Sequence, residues 1–268
     1  VRNVTTNNCT FEDNNKGFIY NYVSEISIDG TLSLSNTNNG YEFNDCGFAD
    51  IESLASISNG NHGGVLNNVR VFPMNFCATN SNTVDGLNVT NAQDVNITIE
   101  SSSNGGQGIE LVSGNDNVIM DRCLIASNTS DGIKLTASSD NCRITNSNTK
   151  SNGGYGVNIA ASTCDNNTII GNNFENNTSG TINDDGVGTI IDDNAGLPIT
   201  VQPKKYSAMK NTSGGSLVAG DVVILNTVAA GNEVTTTTTA GADLVFGVVA
   251  ETIANTATGR IQTAGKVT

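Results

Sequence analysis

A glycine followed by an apolar residue returns every 22 to 24 positions through most of this chain, and few folds accommodate such a period. The glycines are Gly17, Gly40, Gly64, Gly86, Gly108, Gly132, Gly156 and Gly180, at intervals of 23, 24, 22, 22, 24, 24 and 24. Four residues before most of them stands an Asn: Asn36, Asn82, Asn104, Asn128, Asn152 and Asn176. Asn14 and Asn59 hold the same place with a slip of one residue. A Ser usually precedes the Asn, so the unit reads S-N-x-x-x-G. The position after the glycine carries Phe18, Tyr41, Val65, Leu87, Ile109, Ile133 and Val157. The third position carries Tyr20, Phe43, Val89, Leu111, Leu135 and Ile159, with Asn67 as an exception.

Alternate residues of a strand face opposite sides, so the first and third positions point one way and the second the other. A strand this short cannot bury itself, but stacked on its copy from the next repeat it builds a ladder of like on like. Further alternations recur, as in Ile26/Ile28, Val95/Ile97 and Val118/Met120, and helical spacing is nowhere sustained. The pattern predicts a parallel solenoid. The glycine is expected to supply a turn conformation closed to other residues, and the Asn column to bond its copies above and below. Coils about 4.8 Å apart would give a stack of roughly 35 Å. The last copy departs from the pattern at Thr181 and Asn183, and TINDDGVGTIIDDN is expected to form an irregular closing coil.

Composition sharpens this. Of 41 Asn, 37 precede residue 196, whereas Lys number seven and Pro three, unlike a disordered chain. Twelve bases against 26 acids give a net charge of −14, and residues 1–195 hold 22 of the acids and seven of the bases. With no basic cluster beyond Lys204-Lys205, a nucleic-acid partner is not expected. No apolar run suits a membrane span and no basic-then-apolar leader is visible. Val1 opens within a strand-like pattern, which reads as a fragment or processed end. Cys9, Cys46, Cys77, Cys123, Cys142 and Cys164 form no CxxC and do not cluster with His, so they read as small core residues rather than metal ligands. No metal or cofactor is expected, and no GxSxG, Walker A, Rossmann or HExxH motif occurs.

The S-N-x-x-x-G-[IV]-x-[LI] unit resembles the right-handed parallel β-helix of the pectate-lyase-like superfamily, over roughly residues 1–190. That superfamily includes polysaccharide lyases, glycoside hydrolases, phage tailspikes, adhesins and surface proteins. Composition changes at GLPITVQPKK, and short strand-like runs follow: YSAMKN, DVVILNTV, EVTTTTT, LVFGVVAET and GRIQTAG. Gly220-Asp221-Val222-Val223, Phe246-Gly247-Val248-Val249 and Ile253-Ala254 through Gly259 are similar to small β-barrel domains of bacteriophage capsid-decoration and tail proteins. The expected fold is all-β: a right-handed parallel β-helix of about eight coils over 1–195, a linker at 196–205, and a small β-barrel or sandwich at 206–268 that could continue past Thr268.

β-helix proteins of this superfamily generally work on the outer face. The second position after each glycine, which should face out, carries Glu42, Leu66, Asn88, Glu110, Lys134 and Asn158. The residue just before each glycine gives another column: Asn39, Gly63, Asp85, Gln107, Asp131 and Tyr155. Asp85, Glu110, Asp131, Lys134 and Tyr155 are the candidate glycan-binding patch, set against an ordinary solvated face with Glu110 and Lys134 paired about 5 Å apart. No residue is assigned a catalytic role. Carboxylate pairs such as Asp131/Glu110 or Asp85/Glu110 fit hydrolase spacing, as would many among 26 acids. A lyase would want a base such as Lys134 or Arg143 beside calcium-binding acids. Asp184-Asp185 and Asp192-Asp193 read as turn formers, and His62 as a lone turn residue.

Together the two resemblances imply a non-enzymatic virion surface component: a tail fibre, tailspike-like protein or head-fibre/decoration protein. Its expected partners are two further copies in a homotrimer, other virion proteins and host surface polysaccharide. The alternatives are a capsule-degrading lyase or hydrolase and a secreted adhesin or surface protein.

Overall fold

In the computed structural model the described residues are 3–196, 206–219, 221–225, 233–236, 245–249 and 252–262. The chain divides into two compact units, Val1–Gly196 and Leu197–Thr268. The expected linker with Pro198 and Pro203 lies outside the described residues, as do Gly220 and the stretch after Gln262.

The first unit is a parallel β-solenoid of about eight turns. Each strand pairs with its copy one coil away: Phe18 with Tyr41, Leu87 with Ile109, Ile109 with Ile133, Ile133 with Val157. The strands form an eight-stranded sheet, from Phe18–Asn21 to Gly180–Asp184, and a fifteen-stranded sheet bent at an elbow. Inward residues form continuous apolar columns. Tyr41, Phe43, Leu66, Leu87, Val89, Ile109, Leu111, Ile133, Leu135, Val157 and Ile159 are all fully buried.

Pairing corrects the expected register at two coils. Tyr41 pairs with Gly64, and Gly64 with Leu87. Gly63 therefore belongs to the glycine column, and Gly64 sits where an apolar residue was expected, vacating space that the Tyr41 ring fills. The Asn67 exception disappears, because Leu66 is the inward residue and Val65 takes the outward place assigned to Leu66. At the far end Val157 pairs with Ile182, so Thr181 replaces Gly180 in the column. The stretch expected to be irregular is a further coil in register: Gly180–Asp184 lies on Tyr155–Ile159, and Ile190–Asp192 on Thr168–Ile170.

The column glycines are required for space rather than for an unusual backbone angle. None of Gly17, Gly40, Gly63, Gly86, Gly108, Gly132 and Gly156 has a positive φ. A Cβ on Gly86 would stand 2.5 Å from the Gly108 carbonyl oxygen, and one on Gly132 2.6 Å from that of Gly156. Left-handed conformations fall instead on corner residues, many of them Asn, Asp and Ser, which tolerate them.

Beside the glycines runs the asparagine ladder. Asn36, Asn59, Asn82, Asn104, Asn128 and Asn152 each donate their backbone N–H and Nδ2 to the Oδ1 of the next member, at 2.9–3.1 Å. The last acceptor is Asn177; Asn176, expected in the column, is instead a left-handed corner. The six donors are buried. Such amides are stable only when paired, so each holds its neighbour in one register.

All six cysteines are free thiols, and all but Cys9 are buried in the interior columns. Burial pushes the thiols up, to about 12 for Cys77 and Cys142 and about 11 for Cys123.

In the second unit, strands Tyr206–Asn211, Val222–Leu225, Glu233–Thr236, Val245–Val249 and Thr258–Gln262 close into a barrel. Leu217, Val223, Val249, Ile253 and Ile261 are buried together as a core of their own.

Two outcomes follow from this packing. Asn104→Ala removes the acceptor for two Asn82 donors and the donor to the Thr79 carbonyl. It should lower stability by at least about 2 kcal/mol in urea unfolding. In a thiol-reagent assay at neutral pH, the five buried cysteines should react only as the solenoid unfolds.

Candidate functional site

The outer face of the eight-stranded sheet carries the residues singled out from the sequence. Asn88, Glu110, Lys134 and Asn158 occupy matching outward positions on successive coils. Lys134 Nζ lies 3.2 Å from Glu110 Oε1, the pair expected from the spacing. The register correction moves His62 into the place assigned to Gly63, in line with Asn39 and Asp85. That juxtaposition was missed because the glycine was counted one residue late.

The strip is built on a two-coil rhythm. Asn39, Asp85 and Asp131 each use Oδ1 to accept the backbone N–H of the equivalent residue one coil on: His62 at 3.1 Å, Gln107 at 2.8 Å and Tyr155 at 2.7 Å. The outer oxygens of the two acids make lateral contacts. Asp131 Oδ2 accepts from Asn158 Nδ2 at 2.9 Å. Asp85 Oδ2 accepts from Asn88 Nδ2 at 3.4 Å and lies 3.1 Å from His62 Nδ1. The His62 contact is a close polar approach that is poorly aligned for a hydrogen bond. Asn88 also reaches Glu110 Oε2 at 3.3 Å, tying the two acids through one amide. At the strip's N-terminal end, Glu42 Oε1 accepts from Lys16 Nζ and Asn39 Nδ2, both at 2.7 Å.

The five candidates therefore share one face in unequal roles. Asp85 and Asp131 are 2% and 7% exposed and act as clamps beneath the surface. Glu110, Lys134 and Tyr155 are partly exposed, with His62, Gln107 and Asn158 beside them, and present donors and acceptors to solvent. Burial pushes the Asp85 carboxyl up. The adjacent His62 imidazole and the hydrogen bonds from Gln107 and Asn88 outweigh that, holding it below the usual carboxylate range. Asp85 is thus a fixed anion rather than a proton donor near neutral pH.

Other expected constellations separate. Arg143 lies on the fifteen-stranded sheet and Lys134 on the eight-stranded one, so the two bases share no groove. Asp184 Oδ1 accepts from Gly186 N and Thr189 Oγ1, and Asp192 Oδ1 from Asp193 N, as turn formers do. Among the described residues, no group of three or more His, Cys, Asp and Glu side chains gathers as a metal site would require.

Residues 55–196 match the family described as the right handed beta helix region, and the chain belongs to that family. No curated protein matches it. Among solved structures, the mannuronan C-5 epimerase AlgE4 A-module of Azotobacter vinelandii is similar at 17% identity and a TM-score of 0.63, over 71% of this chain and 58% of that one. The periplasmic alginate epimerase AlgG is similar at 16% identity and 0.63, over 72% and 50%. The AlgE6 A-module of the same Azotobacter is similar at 16% identity and 0.60, over 70% and 58%. At these identities the likeness is one of fold, and the chain spans only half to three-fifths of those proteins.

The clamp role of Asp85 has a signed consequence. A carboxyl held below its unfolded value contributes stability above the unfolded value, and loses it as pH falls through the folded one. Asp85→Asn should therefore lower stability at pH 7 and flatten its fall between about pH 5 and pH 2. Thermal melts of both proteins across that range provide the check. An unchanged acid slope would contradict the clamp.

Proposed function

We propose that this chain is a glycan-contacting virion surface protein whose β-helix presents the polar strip of Glu110, Lys134 and Tyr155 to an extended polysaccharide. The observation that carries the reading is the strip itself. Glu110 and Lys134 stand one coil apart as an ion pair, and beside them Asp85 and Asp131 hold the backbone N–H groups of Gln107 and Tyr155 and the side-chain amides of Asn88 and Asn158. A rise of about 4.8 Å is comparable with the length of one pyranose unit, so a chain laid along the axis meets one coil per sugar. Amide, carboxylate, ammonium and phenol groups suit the hydroxyls of a glycan, and the clamped backbone and amides limit the entropy lost on binding.

The virion assignment is supported by the resemblance of Asp221–Val223 and Phe246–Val249 to phage decoration and tail domains. In this reading the second unit attaches or trimerises the protein. A polysaccharide-modifying enzyme is the second reading, favoured because the similar structures are a mannuronan C-5 epimerase module and an alginate epimerase. Incubation with purified polysaccharides separates the two: chain shortening, unsaturated ends or changed sugar configuration would establish the enzyme.

For the binding reading, Lys134→Gln should weaken retention on the cognate polysaccharide about tenfold, near 1.4 kcal/mol. The fold should remain, since the ion pair is partly exposed and contributes under about 1 kcal/mol. Light scattering after size exclusion should give three chain masses. A monomer would remove the trimeric fibre, and unaltered retention by Lys134→Gln would remove the strip.

A further inference from the structure

The elbow of the fifteen-stranded sheet is turned by one left-handed residue per coil: Asn8, Gly30, Ser53, Phe76, Arg122, Asn146, Gly171 and Asp193, with φ between 49° and 70°. Six of these are Gly, Asn, Asp or Ser. Phe76 and Arg122 are the exceptions, and a bulky side chain in that conformation costs about 1–2 kcal/mol. They stand on either side of the one coil that lacks the corner residue. There strand Gln93–Ser102 runs straight through the elbow. The register passes from Met74↔Ile97 to Cys77↔Ile99, and from Ile97↔Met120 to Glu100↔Leu124. Thr98 thus lies opposite two residues on one side, Asn75 and Phe76, and faces Asp121 and Arg122 on the other. The deletion is visible in the sequence as the 22-residue interval between Gly86 and Gly108.

The notch opens two adjoining recesses of about 300 Å³ each, both lined by Thr98 and Arg122. One continues to Asn96, Ile119, Asp121 and Arg143, the other to Phe76, Leu124 and the carboxylate of Glu100. Phe76 is 75% exposed. Asp121 is fully engaged: Oδ1 accepts from Thr145 Oγ1 and Asn146 Nδ2 at 2.9 Å, and Oδ2 from Arg122 Nε at 3.0 Å. Those bonds, that of Asn146 foremost, hold its carboxyl below the usual range, and Arg122 is anchored to it through Nε. Arg143 makes no ion pair among the described residues. In a solenoid with seven bases against 22 acids, two of the seven meet at this notch.

We propose that the notch is a second binding site, which takes an acidic oligosaccharide along the solenoid axis, a sugar face on Phe76 and its carboxylate or sulfate groups on Arg122 and Arg143. Phe76 and Arg143 are three coils apart, about 14 Å, so the ligand spans several sugars. An exposed ring offers an apolar platform to the C–H face of a pyranose, and a guanidinium binds carboxylate or sulfate through paired N–H donors. The site extends the glycan-binding reading to a different sheet and different residues.

The test is calorimetric titration of the full chain with a galacturonate hexamer, a sulfated dextran oligomer and a neutral glucan hexamer, at low and raised salt. Variants Arg143→Gln, Phe76→Asn and Lys150→Gln are compared, with Lys134→Gln as the reporter of binding at the strip. Phe76→Asn places a left-handed-tolerant residue at the corner, so it should melt no lower than the parent while losing binding. The expected result is binding of one acidic probe at least tenfold tighter than the neutral one and weakened by salt. Arg143→Gln and Phe76→Asn should each weaken it fivefold or more, and Lys150→Gln, at a base outside both the notch and the strip, should not. Preference for the galacturonate or the sulfated probe identifies the acidic group. Equal binding of the neutral glucan, no binding of either acidic probe, or an unaffected Arg143→Gln overturns the site. Loss in Lys134→Gln alone also overturns it while leaving the strip standing, and binding of no glycan by any form at either place removes both.

Discussion

The buried asparagine ladder is the constraint on which the rest depends. Six amides inside a solenoid have no water to turn to, and each is paired only when the coil above sits at one height and one rotation. Apolar columns alone would tolerate sliding, since Ile on Leu and Val on Ile are nearly interchangeable. An amide opposite the wrong atom costs roughly 1–3 kcal/mol, so polar pairing selects the register that the apolar stack merely accepts. The column glycines act with it: where Gly86 and Gly132 meet the next coil's carbonyl there is no room for a Cβ.

Once register is fixed, the surface follows. The strip on the eight-stranded sheet exists because positions equivalent in the repeat lie one coil apart, which sets Asn39 Oδ1 beneath the His62 N–H and Asp131 beneath that of Tyr155. The notch on the other sheet arises from the same rule by subtraction: a coil one corner residue short leaves its neighbours' side chains standing over a gap. Regularity makes a face, and a single irregularity makes a recess.

The solenoid, its coil number and most inward positions were legible from the repeat, because a period of 22–24 residues with alternating apolar pairs admits little else. The errors were single-residue slips at adjacent candidates. Gly63 and Gly64 are both glycine, and Asn176 and Asn177 both asparagine, so composition could not choose between them and only strand pairing did. The first slip hid His62 beside Asp85. The notch was hidden differently: a 22-residue interval shows that one residue is missing, but not at which corner. Nor could the sequence show that Asp85 and Asp131 are buried as clamps beneath the outer face, since their columns carry partly exposed residues on the alternate coils.

The most direct test of the ladder as the register-setting element is hydrogen exchange of its own amides by NMR. Backbone N–H groups of Asn59, Asn82, Asn104 and Asn128, though in turns, should be as protected as those of the neighbouring strands and exchange only with global unfolding. Exchange at the rates of exposed turn amides, while the strands stay protected, would show that the ladder follows the fold instead of fixing it.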